Sequence, residues 1–116
     1  MLLRICAAAT LLAAVAFVPA PASAGAIMSV NNRSLDDVST EQCLRRARAA
    51  IKSAGFKYHD ATSQAIWGLA NDGRDMVVIY CPTREIAIFV AASPTGKGSV
   101  TEPLVNRLTD AWSDDR

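Results

Sequence analysis

Arg74-Asp75-Met76-Val77-Val78-Ile79-Tyr80-Cys81-Pro82-Thr83-Arg84-Glu85-Ile86-Ala87-Ile88-Phe89-Val90-Ala91-Ala92 (residues 74–92) is the stretch on which the fold turns. Two apolar runs, Arg74–Cys81 and Glu85–Ala92, are rich in the β-branched and aromatic residues that suit strands. Pro82-Thr83-Arg84 between them reads as a turn. So short a gap excludes the long crossover of a parallel pair, and the runs are expected to be antiparallel neighbours. Just upstream, Asn71-Asp72-Gly73 is a hairpin signal, because these residues tolerate positive φ. It joins the first run to a further strand, Ser63–Ala70, which carries Ile66, Trp67 and Leu69.

Helices are expected on either side of these strands. Ser39-Thr40-Glu41-Gln42 fits a capping box, in which the serine side chain takes a free backbone N–H. Behind it, Leu44, Ala47, Ala50, Ile51 and Ala54 recur at helical spacing on one face. Arg45, Arg48 and Lys52 fall opposite, as the solvated side of an amphipathic helix. Gly55 ends the helix where a left-handed residue is needed, and Phe56 can fold back on its last turn. A second helix is expected to begin near Thr101, with Glu102 and Pro103 in its first turn. Val100, Leu104, Val105, Leu108, Ala111 and Trp112 form its apolar face. Ala26–Val30 reads as a first edge strand, Asn31–Ser34 as a turn or loop, and residues 57–62 as another loop. The order β-α-β-β-β-α predicts an α+β two-layer sandwich: a four-stranded, mainly antiparallel sheet with two helices on one face.

The N-terminus reads as an export signal. Met1–Arg4 carries one positive charge, Ile5–Val18 is continuously apolar, and Pro19-Ala20-Pro21 precedes the small residues Ala22-Ser23-Ala24. The apolar run falls short of the ~20 residues that span a bilayer as a helix. Cleavage after Ala24 would leave a single domain, residues 25–116, in the periplasm or outside the cell, with no stable membrane span. That remainder keeps eleven of the twelve basic residues against eleven acidic ones. A neutral chain is a poor nucleic-acid binder, since such affinity comes from many Lys and Arg contacts. Cleavage would also remove Cys6 and leave Cys43 and Cys81. In an oxidising compartment such a pair is expected to form a disulfide. The chain-entropy model gives about 4 kcal/mol for a loop of this length.

Catalytic and cofactor chemistry finds little support. His59 is the only histidine. With Asp60 beside it, it could serve a minimal hydrolase, but no particular nucleophile is indicated. One histidine and two distant cysteines do not make a zinc set, and the clusters Asp36-Asp37 and Asp114-Asp115 fit no calcium loop. Ser93–Ser99 contains Gly96-Lys97 but lacks the glycine and hydroxyl positions of a phosphate-binding loop. No catalytic residue, metal or cofactor is therefore assigned.

A two-layer fold should keep one face of its sheet polar. Here Val77 and Ile79 oppose Met76, Val78 and Tyr80, and the next strand repeats the pattern with Ile86, Ile88 and Val90 against Ala87, Phe89 and Ala91. Either the second face is covered, by another chain or by this chain's own segments, or it holds an apolar groove. Several of these residues recur in a resemblance. Glu41-Gln42-Cys43, Gly55-Phe56, Trp67-Gly68, Ile79-Tyr80-Cys81 and Ile88-Phe89-Val90-Ala91 resemble a type of small, uncharacterised bacterial exported protein with one disulfide. The resemblance implies the fold and the disulfide, and no activity. The leading expectation is an exported, non-enzymatic interaction module of the cell envelope: an inhibitor, adaptor or accessory subunit, with homodimerisation open to it. The alternative is a carrier of a small apolar ligand, lined by Trp67, Tyr80 and Phe89.

Overall fold

The computed structural model describes residues 26–95 and 97–115. The export signal and its cleavage point lie outside the described residues. Seven elements follow in order: β1 (Ile27–Ser34), α1 (Thr40–Ser53), β2 (Lys57–Ala61), β3 (Ala65–Ala70), β4 (Asp75–Thr83), β5 (Ile86–Ser93) and α2 (Gly98–Asp110). The strands form one sheet in the order β1-β5-β4-β3-β2, and every neighbouring pair is antiparallel. Strands β2 to β5 make a continuous meander. Strand β1 closes onto β5, so α1 carries the chain from one edge of the sheet to the other.

The sheet has five strands, not the four expected. The additional one is β2, Lys57–Ala61, which the sequence reading leaves as a loop. Its Lys-Tyr-His-Asp composition hides it. As an edge strand with exposed residues along nearly its whole length it needs no apolar pattern, and its register against β3 slips between Tyr58 and Asp60. β1 also runs further than expected. Asn31–Ser34 continue the strand, paired with Ile86–Phe89, because eight residues of register with β5 outweigh a polar local preference.

Local signals account for most of the other boundaries. Ser39 caps α1, its hydroxyl accepting the Gln42 N–H at 3.2 Å. Gly55 at φ +83° lets the Phe56 N–H reach the Ile51 carbonyl and its own N–H reach that of Lys52. Asn71, Asp72 and Gly73 all have positive φ in the turn between β3 and β4. Helix α2 starts earlier than the sequence suggests, at Gly98, which places Thr101 inside it. Thr101 is buried and its hydroxyl bonds that of Ser29 on β1 at 2.6 Å. A tertiary partner thus takes the hydroxyl that would otherwise cap the helix.

Both helices cover the same face. Gly68, Val77, Ala91 and Ser29 lie side by side across four strands. At one end of this row Ile51 of α1 touches Gly68; at the other, Thr101 of α2 bonds Ser29. Between helices and sheet lies the core, with Cys43, Ala47, Ile51, Ile66, Val77, Ile79, Phe89 and Leu108 essentially without exposure. Phe89 meets Trp112 edge to face at 5.5 Å. The Cys43–Cys81 disulfide is formed, with Cα atoms 6.2 Å apart and both residues fully buried. It ties the first turn of α1 to the end of β4, on the face Cys81 shares with Val77 and Ile79.

Candidate functional site

Because side chains alternate along a strand, the residues between the core positions point away from the helices. Register lines them up in three rows across the sheet. Met28, Ala92, Met76, Leu69 and Lys57 form the first; Val30, Val90, Val78, Trp67 and Asp60 the second; Asn32, Ile88, Tyr80 and Ala65 the third. Apart from Asn32 at one border and Lys57 and Asp60 at the other, the rows are apolar or aromatic. No element among the described residues lies over them. Met28 is 63 % exposed, Val30 59 % and Tyr80 38 %, while Trp67, Met76, Val78, Ile88 and Val90 are half-buried by one another. The first segment and the 57–62 region, which could have covered this face, extend it instead as β1 and β2.

The sequence-derived binding residues are divided by the sheet. Trp67 and Tyr80 lie on the open face, in adjacent rows. Phe89 lies on the opposite face, fully buried against Trp112. Its row partners are Asn31 and Ile79, so it cannot line a groove with the other two. Met28, Val30 and Leu69 join the face instead. Strand alternation in residues 26–30 and 65–70 was the available signal for them.

The open surface is shallow. A depression of about 350 Å³ lies beside Trp67, bounded by His59, Asp60, Thr62 and Met76. A larger one, about 510 Å³, lies at the end of the sheet between Gly55–Lys57 and the Asn71–Gly73 turn, and includes neither Trp67 nor Tyr80. Arg107 borders it, held over the Phe56 ring at 4.4 Å and donating to the Ala54 carbonyl at 3.0 Å.

Both sheet edges carry the same device. On β1 the Asn32 N–H is taken by the Asn31 side-chain oxygen at 2.9 Å. On β2 the Ala61 N–H is taken by the Asp60 carboxylate at 2.7 Å. A backbone donor bonded to its own neighbour is withdrawn from an incoming strand, and the β2 bulge and charges protect that edge further. At the turn between β4 and β5, Arg84 donates to Asp37 at 2.6 Å. This bond, and then the Asp37 charge, raise the Arg84 pKa.

His59 is exposed at the β2 bulge, and the Asp60 Oδ1 beside it is engaged by the Ala61 N–H. Among the described residues, no group of three or more His, Cys, Asp or Glu side chains is placed to hold a metal ion. No described helix is long and apolar enough to cross a membrane. The fold and face define a disulfide-stapled α+β sheet protein with one apolar side that no described element covers. Compared with known proteins, the chain matches no family model, no curated protein and no solved structure.

Proposed function

We propose that this protein is an exported, non-enzymatic interaction module of the bacterial cell envelope that works by docking protein onto its open sheet face. One observation carries the reading: three rows, apolar inside their borders, run across the sheet, and no element among the described residues lies over them. Apolar surface of that extent, left in water, marks an interaction site. Export is supported by the signal-like first 24 residues and agrees with the Cys43–Cys81 disulfide, which belongs to oxidising compartments. The depression beside Trp67 and another of about 310 Å³ beside Met76 and Ala92 favour a small apolar ligand, but ligand sites enclose most of their ligand, and these open depressions do not.

The test is a photoreactive amino acid placed at Tyr80 in cells, with a second at Arg48 on the solvated side of α1 as reference. Protein adducts at Tyr80 and none at Arg48 are expected. Equal labelling at both positions, or none at Tyr80, would overturn the reading.

A further inference from the structure

We infer that the protein docked on the open face is a second copy of this chain, packed face to face to give four layers: helices, sheet, sheet, helices. The inference rests on the docking reading and names its partner.

Size is the first argument. Five strands spaced about 4.8 Å apart and rising about 3.3 Å per residue make a face of roughly 500 Å². Two copies would bury about 1,000 Å², the lower bound for a biological interface and the size of a weak, reversible one. Charge is the second. The three rows carry no charge inside their borders, Lys57 and Asp60 standing only at the β2 rim. Residues 25–116 hold equal numbers of basic and acidic side chains, so two copies approach without net repulsion. A partner selected by charge would find nothing on this face to read.

Geometry supplies the third argument. Another copy could add a strand at an edge or stack on the face. The Asn31–Asn32 and Asp60–Ala61 bonds each take one backbone donor away from an incoming strand at their edge, and the β2 bulge and charges hinder pairing there further. Stacking instead uses the apolar face, at the ~10 Å separation of packed sheets, where Tyr80, Trp67 and Val78 of each copy would fill gaps in the other. A two-fold stack covers both faces at once and stops at the dimer.

Sedimentation equilibrium on the protein isolated from cells expressing the full chain tests this. A dimer is expected. Val78→Glu and Val30→Glu each place an unpaired charge in the interface and should weaken association roughly tenfold or more. Val30 is exposed on an edge strand, so its variant stays informative if Val78→Glu misfolds; circular dichroism checks both. Arg48→Glu, on the helix side, should remain dimeric. A monomer up to millimolar concentration, or a dimer that survives both face charges, overturns the inference. The two readings separate through the Tyr80 adducts. A monomer whose adducts contain a different protein defeats the dimer and leaves the docking reading standing; a monomer without adducts defeats both.

Discussion

Gly68 has no room for a side chain. A Cβ there would lie 3.0 Å from Ile51, 3.1 Å from Val77 and 3.3 Å from the Lys57 carbonyl. Gly68→Ala is therefore expected to lose about 1–3 kcal/mol by overpacking. Urea denaturation would show it, and Gly68→Ala should cost less in an Ile51→Ala background, which lacks the Cγ2 methyl that the added Cβ meets. The disulfide acts on a larger scale from a single bond. Cys43→Ala should cost about 2–5 kcal/mol, seen as a fall in urea midpoint that reduction of the native protein reproduces. Sequence made the cysteine pair legible because export chemistry and an even count point the same way. It could not place Phe89. Nothing in an all-apolar run says which alternate set faces the helices, and that set is fixed only by register with Ile79 and by the Trp112 ring.

At the level of elements, legibility followed local chemistry. α1 carries both its signals in its own residues, Ser39 before it and Gly55 after it, and the structure uses both. β2 and the second half of β1 carry none, because an edge strand open to water tolerates polar residues and depends on its neighbour for its conformation. α2 misleads because Thr101, a good cap by type, is held by Ser29. The edge strands also yield a prediction. Asn31→Val and Asp60→Val each release a backbone N–H and raise local β-propensity, so the double variant should aggregate faster than the parent in light scattering, with a thioflavin-positive product. Equal aggregation would mean that the two side chains do not guard the edges.

For the molecule as a whole, the two sides of the sheet differ in kind. The helix side is closed by apolar contacts and by a polar seam between β1 and α2, where Asn31 donates to Thr109 at 3.3 Å beside the Ser29–Thr101 bond. Inside its borders the open side carries no charge, and its side-chain hydrogen-bonding groups there are the Trp67 indole and the Tyr80 hydroxyl. Association through it should be driven by apolar burial. Its strength should hold or rise between low and molar salt, and calorimetry should find a negative heat-capacity change. A steep loss with salt would place the contact on charged surface elsewhere. The two-sided apolar pattern was plain in residues 74–92, but whether β1 and β2 would cover the second face or widen it depended on pairing between residues far apart in sequence.

The Cys43–Cys81 bond and the open face lie on opposite sides of the same strand. Cys81 points into the core while Tyr80, one residue earlier, points outward. The bond therefore fixes from behind the backbone that presents Tyr80, Val78 and Met76 in front. Rigidity set during oxidative folding need not be acquired at the moment of contact, which lowers the entropic cost of association. Reduced protein that keeps its secondary structure should consequently bind more weakly than oxidised protein, although no thiol comes near the interface. The redox state of the compartment would then set the affinity of a surface that contains no redox chemistry.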